Sequence, residues 1–379
     1  MTGKRTVFLL VLFAAAALSA MEFLPQTSAG FEPENAPVYP GMSVSAVQRP
    51  DARFKFLHDT AVTVYCGSLW MAWYNCPEKE CVGTSVIRAR RSDDGGKNWS
   101  EVMTVAEDPD PRFQFVPPSF GTAEGNLYIL APRTCDPLTD GEKKGSQTLH
   151  LFRLGEDGRS WHPVRKFDNM FLPNTNVQKR GDGKLILAGR DVKRNQPAVM
   201  IFDGDSLERS PWRVVHMIPE GVAKDPPQLC PEASLTVEGM NLTSYVRCGM
   251  MIAFLVYTSG DGGETWRMFR HEIPVLKSKM NSGVLSDGRR YFIFNVRKYG
   301  RDRLFLALSG KDGKTYSEFY TLRNGDDPAL DLKPQWSYPS SVEYDGKLYI
   351  SVTCRDGSPA YGNITKSAAA LLVLPLKRE

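Results

Sequence analysis

The sequence contains Ser92-Asp93-Asp94-Gly95-Gly96-Lys97-Asn98-Trp99 and repeats this pattern at Ser259-Gly260-Asp261-Gly262-Gly263-Glu264-Thr265-Trp266. Residues 154–161 and 309–316 are looser copies that end on Trp161 and Tyr316. Asp, Ser and Asn side chains hold tight turns by accepting hydrogen bonds from nearby backbone N–H groups, and glycine permits positive φ. A turn that recurs with an aromatic residue at a fixed place indicates a repeated supersecondary unit.

The spacing of the closing aromatic residues sets the size of that unit. They fall at positions 99, 161, 212, 266 and 316, where Trp212 follows a weaker Asp-Gly stretch. Alternating segments such as residues 86–91 and 304–308 flank the turns, so each turn joins two antiparallel strands. A unit of about 50 residues accommodates the four short strands of one β-propeller blade. The sequence therefore predicts an all-β fold, a six-bladed β-propeller with Asp-containing turns.

The ends of the chain differ from this strand-rich body. Residues 1–20 combine Lys4 and Arg5 with an apolar run and a small-residue exit, which is typical of a secretory signal peptide. Residues 21–50 are rich in Pro, Gly and Ser and read as an extended lead-in, which leaves residues 51–379 as a single propeller domain. We expect a secreted or periplasmic protein without stable membrane insertion, because no later segment is long enough to span a bilayer.

The charge and the cysteines exclude several classes of partner. The formal net charge is only +4, which gives no argument for nucleic-acid binding. The seven cysteines form no CxxC pair, so we expect no metal and no cofactor. Cys76 and Cys81 are close enough in sequence to form a disulfide, which export would permit.

Propellers bind ligands where the inner strands converge, so site residues are expected from several blades. An ordered set stands out: Glu232 with Arg247 fifteen residues later, then Arg301 before a strand, then Tyr338 in a Tyr-Pro-Ser-Ser segment. Together with the Asp-box turns, this set resembles the sialidase (neuraminidase) superfamily over nearly the whole mature chain. The resemblance implies that Tyr338 is a nucleophile, that Glu232 accepts its proton, and that Arg247 and Arg301 bind a substrate carboxylate.

The chemistry of an acidic sugar agrees with these residue types. Sialic acid carries a carboxylate on its anomeric carbon, which would repel a carboxylate nucleophile but not a neutral phenol. A phenol has an unperturbed pKa near ~10 and therefore needs a nearby base. Arginine suits a carboxylate because its planar fork binds both oxygens and stays charged.

The sequence departs from the family pattern at two places. Where the family has its first arginine, this chain has Leu57-His58-Asp59-Thr60, so His58 replaces it unless the register shifts to Arg53 or Lys55. Loss of one bidentate arginine weakens carboxylate binding by about 2–3 kcal/mol. The family's acid/base Asp falls near Cys81, where the nearest carboxylates are Glu80 and Glu78. We therefore keep His58, Asp59 and Glu80 as further catalytic candidates.

The remaining candidates are substrate-binding residues. Arg303 competes with Arg301, because two-residue alternation would put both side chains on one face of a strand. Further channel candidates come from the blade near residues 171–192: Asn174, Asn176, Arg190 and Asp191.

Three functions remain open from the sequence. The first is a secreted sialidase-like glycoside hydrolase that acts on an acidic glycan, such as an exo-α-sialidase. The second is a polysaccharide lyase for uronic-acid glycans, in which Tyr338 and His58 carry protons. The third is a non-catalytic propeller that binds carbohydrate or protein.

Overall fold

The computed structural model describes residues 22–27, 30–80, 84–135, 148–168, 171–219, 231–247, 255–310, 312–324, 335–355 and 367–376. The predicted signal segment and Cys81 lie outside these ranges. The described strands are β1 (Phe23–Leu24), β2 (Ser43–Gln48), β3 (Phe56–Tyr65), β4 (Ser68–Cys76), β5 (Val86–Ser92), β6 (Met103–Ala106), β7 (Phe113–Phe115), β8 (Ser119–Ala123), β9 (Asn126–Cys135), β10 (Thr148–Leu154), β11 (Trp161–Phe167), β12 (Phe171–Pro173), β13 (Gln178–Lys179), β14 (Leu185–Asp191), β15 (Gln196–Phe202), β16 (Trp212–His216), β17 (Glu232–Ala233), β18 (Thr236–Glu238), β19 (Asn241–Arg247), β20 (Leu255–Ser259), β21 (Arg267–His271), β22 (Asn281–Val284), β23 (Arg290–Asn295), β24 (Arg303–Ser309), β25 (Tyr316–Asn324), β26 (Gln335–Tyr344), β27 (Lys347–Arg355) and β28 (Ser367–Pro375). Short 3₁₀ turns cover Pro33–Asn35 and Arg297–Tyr299.

These strands form six separate sheets, antiparallel apart from the added strand β1, and the sheets are the six blades of the predicted propeller. Blade 1 is β3-β4-β5-β6, blade 2 is β7/β8-β9-β10-β11, and blade 3 is β12/β13-β14-β15-β16. Blade 4 is β17/β18-β19-β20-β21, blade 5 is β22-β23-β24-β25, and blade 6 is β26-β27-β28-β2. The first strand of blades 2, 3 and 4 is interrupted, so two short pieces pair with one long second strand.

The repeated turn joins the third and fourth strands of its blade. Asp94 accepts hydrogen bonds from the backbone N–H groups of Lys97 and Asn98, at 3.0 and 2.9 Å, and Asp261 does the same in the second copy. Trp99 closes its turn by donating from Nε1 to a glycine carbonyl oxygen at 3.2 Å. In the copy of blade 2 the bonding carboxylate is Asp157, one residue later than the pattern, and its partners move one residue closer.

The sixth blade explains why six blades carry only five aromatic anchors. Its fourth strand is β2, which pairs with β28 from Ser43↔Val373 to Gln48↔Ala369. Because these two strands come from opposite ends of the chain, no turn joins them and the ring closes non-covalently. The predicted lead-in over residues 21–50 therefore contains a propeller strand, and the boundary at residue 51 is too late. Earlier in the same segment, β1 pairs in parallel with β21 on the outer edge of blade 4.

An apolar cluster fills each of the six gaps between neighbouring blades. The cluster between blades 1 and 6 contains Trp73 and Leu371, and that between blades 5 and 6 contains Trp336 and Leu306. Residues on successive strand positions alternate between two such clusters, as Leu185 and Ile186 do. Within the described part of the chain, no helix is long and apolar enough to cross a membrane.

Candidate active site

One end of the propeller collects the candidate residues, and the direction of the strands explains why. His58, Glu232 and Tyr338 lie near the start of the first strand of their blades, on β3, β17 and β26. Arg247 ends a second strand, β19, and pairs directly with Glu232. Since neighbouring strands are antiparallel, the start of a first strand and the end of a second strand meet at the same end of a blade.

Arg247 links the predicted base to the predicted nucleophile. Its Nη1 donates to Glu232 Oε2 at 2.5 Å and to the Tyr338 hydroxyl at 2.8 Å. The Arg247 and Glu232 side chains are only 14% and 13% exposed, so the ion pair is shielded from water. Burial lowers the pKa of Arg247, but the Glu232 charge and the hydrogen bonds to Glu232 and Tyr338 outweigh it and raise that pKa, so this guanidinium stays charged.

Tyr338 has an unusual backbone conformation. Its φ is +59°, and the pairing of β26 with β27 shifts register between Ser337 and Ser340, so the chain bulges at this residue. Positive φ in a bulky residue costs about 1–3 kcal/mol and is found where a side chain is re-aimed, often at a site. Burial first, and then the Glu232 charge, raise the pKa of the Tyr338 phenol, so it is neutral at rest.

Arg301 is the second arginine at Tyr338. Its Cζ lies 5.1 Å from the centre of the Tyr338 ring, and its carbonyl oxygen accepts the N–H of Trp336 at 2.8 Å. Arg303 does not share this position, since its Cζ stacks at 4.0 Å on the Tyr299 ring. The expected common face fails because β24 begins at Arg303, so strand alternation does not extend back to Arg301.

His58 also packs against Tyr338, with ring centres 4.2 Å apart. It is 1% exposed, and both ring nitrogens have partners: Nδ1 is 3.1 Å from Thr353 Oγ1, and Nε2 is 3.1 Å from Arg355 Nη2. Burial and then the Arg355 charge place the pKa of His58 well below its usual value. A buried neutral imidazole with both nitrogens engaged is poorly suited to donate protons.

Asp59 forms a buried ion pair next to this ring. Its Oδ1 lies 2.5 Å from Lys279 Nζ, and the two side chains are 4% and 6% exposed. Asp59 also has positive φ, +49°, at a bulge between His58 and Ala61. Burial raises the pKa of Asp59 to about 6, although the Lys279 charge opposes the shift.

Glu80 lies at the mouth of the site, where its side chain is 47% exposed. It accepts a hydrogen bond from the Tyr74 hydroxyl at 3.2 Å and lies 3.9 Å from His58 Nε2 and 4.0 Å from Arg355 Nη1. Glu78 instead points to the surface, where its carboxylate is 3.4 Å from Lys55 Nζ. Of the three carboxylates described near His58 and Tyr338, Glu80 is the most exposed, with 47% against 13% for Glu232 and 4% for Asp59.

The candidates of blade 3 contribute less directly. Asn174 Oδ1 accepts the Ala233 N–H at 3.1 Å, which fixes the backbone next to Glu232. Asn176 joins blades 1 and 2 through Val62 and Phe120. Arg190 lies near the end of β14, and the contacts of the described residues do not connect it to Tyr338.

Asp191 is also separate from the Tyr338 group. Its Oδ2 lies 2.9 Å from His216 Nε2 at the rim of blade 3.

The chain matches a family model described as a BNR repeat-like domain over residues 67–350, well over half of its length. It belongs to this family.

Solved sialidase structures share the fold of this BNR-repeat protein. NanB sialidase from Streptococcus pneumoniae is 13% identical, with a TM-score of 0.66 over 86% of this chain and 69% of that chain. The intramolecular trans-sialidase from Ruminococcus gnavus is 12% identical, with a TM-score of 0.65 over 92% and 100%. A mutant of Trypanosoma rangeli sialidase displaying trans-sialidase activity is 15% identical, with a TM-score of 0.63 over 89% and 60%, so the present chain spans about 60% of its length.

The predicted six-bladed, sialidase-like propeller is thus confirmed as the fold of this BNR-repeat protein. At identities of 12 to 15%, these structures show the fold of the chain. No curated protein sequence matches the chain significantly.

Sequence reasoning missed two cations of this BNR-repeat site. Lys279 follows blade 4 in an irregular segment with no motif, and Arg355 is the last residue of β27. Arg355 is 4% exposed, and burial followed by the Arg301 charge lowers its pKa. The pairing of β26 with β27 would have suggested Arg355, because it lies opposite Gln335, three residues before Tyr338.

The electrostatics of the site favour an anionic ligand. Four cations surround His58 and lower its pKa: Arg355, Arg301, Lys279 and Arg247. The same region holds three carboxylates, those of Asp59, Glu232 and Glu80, so the cations outnumber the carboxylates. Among the described residues, no group of three or more His, Cys, Asp or Glu could hold a metal ion. Guanidinium groups beside a neutral phenol suit a sugar that carries a carboxylate.

Proposed function

We propose that this protein is a glycoside hydrolase that cleaves the glycosidic bond of an acidic sugar with a carboxylate on its anomeric carbon, sialic acid foremost. The observation that carries the proposal is the buried Glu232–Arg247–Tyr338 chain with Arg301 on the phenol ring. It brings a neutral phenol, a carboxylate and two guanidinium groups together, which supports the roles of nucleophile, base and carboxylate-binding cations.

The first step forms a bond between the Tyr338 oxygen and the anomeric carbon, while Glu232 takes the phenol proton. The glycosidic bond breaks, its electron pair goes to the leaving oxygen, and Glu80 donates a proton to that oxygen. Arg247 and Arg301 bind the substrate carboxylate, and Arg247 also stabilises negative charge on the Tyr338 oxygen. Glu80 suits the acid role because it is the most exposed carboxylate of the cluster, which leaves it open to a leaving group.

The second step returns the enzyme to its starting state. Water attacks the anomeric carbon and gives a proton to Glu80, the bond to Tyr338 breaks, and Glu232 returns the phenol proton. Asp59 takes no part in the transfers because its carboxylate is held by Lys279. We assign Asp59 the positioning of Lys279 and of the bulge next to His58.

The lyase alternative needs His58 as a proton carrier, and the environment of this ring argues against it. Both nitrogens are engaged and four cations oppose its protonation. A non-catalytic propeller would bind an acidic sugar without cleaving it, and the activity test below separates that case from a hydrolase.

Hydrolysis of a fluorogenic sialoside tests the proposal. Tyr338→Phe is expected to lower kcat by about 10³-fold or more, as removal of a nucleophile does. Tyr344→Phe is the matched control, because Tyr344 is 40% exposed at the opposite end of β26 from the site, and it should retain full activity. Equal activity of both variants would exclude Tyr338 as the nucleophile.

Two results with the unaltered protein would overturn hydrolysis. Binding of sialosides without turnover would indicate a non-catalytic propeller. Ultraviolet absorbance of an unsaturated uronate from a uronic-acid glycan would indicate a lyase.

Export belongs to the same proposal, since extracellular glycans are the source of such sugars. The basic start and apolar run of residues 1–20 support it. N-terminal sequencing of protein recovered from the periplasm or medium should begin near Met21, and an uncleaved N-terminus would contradict removal of a signal peptide.

A further inference from the structure

We propose that Arg355 is the third guanidinium of the carboxylate subsite and that His58 is the residue that positions it. This inference rests on the proposed function, because it adds a group to the same subsite. It also accounts for the histidine that stands where the family pattern has an arginine.

Arg355 reaches the subsite from blade 6. It ends β27, the strand that pairs with β26, and β26 carries Tyr338. Its Nη2 lies 3.1 Å from His58 Nε2, and the His58 ring centre lies 4.2 Å from that of Tyr338. Arg301 Cζ lies 5.1 Å from the centre of the same Tyr338 ring. Arg355 therefore belongs to the same cluster as Arg301.

The hydrogen bonds of His58 show how the guanidinium is held. A guanidinium can only donate, so Nε2 of His58 must accept the bond from Arg355 Nη2. In a neutral imidazole the proton then lies on Nδ1, which donates to Thr353 Oγ1. Thr353 Oγ1 also accepts the Asp59 N–H at 3.1 Å, which fixes the hydroxyl. With its proton on Nδ1, His58 uses Nε2 as the hydrogen-bond acceptor for Arg355.

Arg355 retains unused hydrogen-bonding capacity. Its Nε is buried and has no acceptor among the described residues, and the same is true of Arg247 Nε. Its interaction with Glu80 is long, 4.0 Å. Buried donors without acceptors are destabilising unless a ligand satisfies them, and a carboxylate supplies two acceptor oxygens.

Equilibrium binding tests the inference separately from catalysis. Calorimetry would measure the affinities of N-acetylneuraminic acid, of its methyl ester and of glucuronic acid for the unaltered protein and its variants. Arg355→Met should weaken binding of the acids by about 10- to 100-fold, the effect of one charged hydrogen-bonding group. It should change binding of the uncharged ester by less than about 2-fold, because the ester lacks the negative charge that the guanidinium would bind.

Variants of neighbouring residues provide the controls. Arg303→Met removes a guanidinium of the same region that stacks on Tyr299, and it should leave all three affinities unchanged. His58→Phe keeps a ring but removes the acceptor, so it should weaken acid binding nearly as much as Arg355→Met. His58→Gln keeps an acceptor oxygen and should restore most of the affinity. Thermal unfolding would show that each variant folds.

The outcomes are separable. The inference is wrong if folded Arg355→Met binds the acids as tightly as the unaltered protein, or if it loses acid and ester binding equally. It is also wrong if the unaltered protein binds neither acid. Arg355-dependent acid binding without hydrolysis of any sialoside would overturn only the proposed hydrolase.

Discussion

Replacement of Lys279 by Met is expected to destabilise the propeller at neutral pH and not at acid pH. Lys279 Nζ lies 2.5 Å from Asp59 Oδ1, and water barely reaches either side chain. Burial raises the pKa of Asp59 to about 6, although Lys279 opposes this shift. Without the ammonium group, the pKa of Asp59 rises further and its ionised form becomes more costly.

The magnitude follows from the titration. Relative to an unfolded value of about 4, a folded pKa of about 6 corresponds to about 3 kcal/mol at 1.36 kcal/mol per unit. Because the folded pKa of Asp59 is raised, its contribution to the free energy of unfolding is fully present below the unfolded pKa and is lost as pH rises through about 6. In Lys279→Met the pKa of Asp59 rises further and the carboxyl folds in its protonated form, so the added cost at about pH 7.5 is about 2 kcal/mol, from 1.36 kcal/mol for each pH unit above the present folded pKa of about 6.

At acid pH the difference should vanish or change sign. Asp59 is then neutral in both proteins, and only the unaltered protein still buries an unpaired ammonium group. The variant should therefore be at least as stable below about pH 4.

Urea unfolding, followed by tryptophan fluorescence at about pH 4 and about pH 7.5, would measure both differences. Lys277→Met, two residues away on an exposed side chain, is the matched control and should change neither value. Asp59→Asn combined with Lys279→Met should recover most of the loss at neutral pH. An equal loss at both pH values would refute the ion-pair explanation and indicate lost packing instead.

Three further predictions concern the turns, the closure and the histidine. Asp261→Ala should destabilise blade 4 by about 1–2 kcal/mol after solvent screening, because Asp261 accepts four hydrogen bonds. The control is Asp205→Ala, at an exposed position. A smaller change in the urea midpoint for Asp261→Ala than for this control would contradict the prediction. A chain that begins at residue 52 lacks β2, which leaves the edge of β28 unpaired, so it should aggregate or bind a hydrophobic dye. A folded monomer in light scattering would show instead that blade 6 needs only three strands. His58→Gln should keep the shape of the pH–activity profile, since His58 is already neutral, and loss of a limb of that profile would reveal a proton-transfer role.

Much of the fold was predictable because it is repeated. The turn at Ser92–Trp99 uses only local hydrogen bonds, so its residues reveal its geometry wherever they occur. The shifted carboxylate of Asp157 shows that a degraded copy still forms the turn with a neighbouring residue. The role of β2 was not predictable, because its partner β28 lies at the other end of the chain and nothing local records that pairing.

The sequence by itself predicted the six blades, because the repeated turn recurs with the period of a blade, and it singled out Glu232, Arg247, Arg301 and Tyr338 as site candidates by their order along the chain. Only the tertiary structure decided which side chains meet. It separated Arg303 from Arg301, engaged both nitrogens of His58, and brought in Lys279 and Arg355 from segments without any motif. The physical reason is that this site is built where six blades converge, so its charges are neighbours in space while hundreds of residues can separate them in sequence.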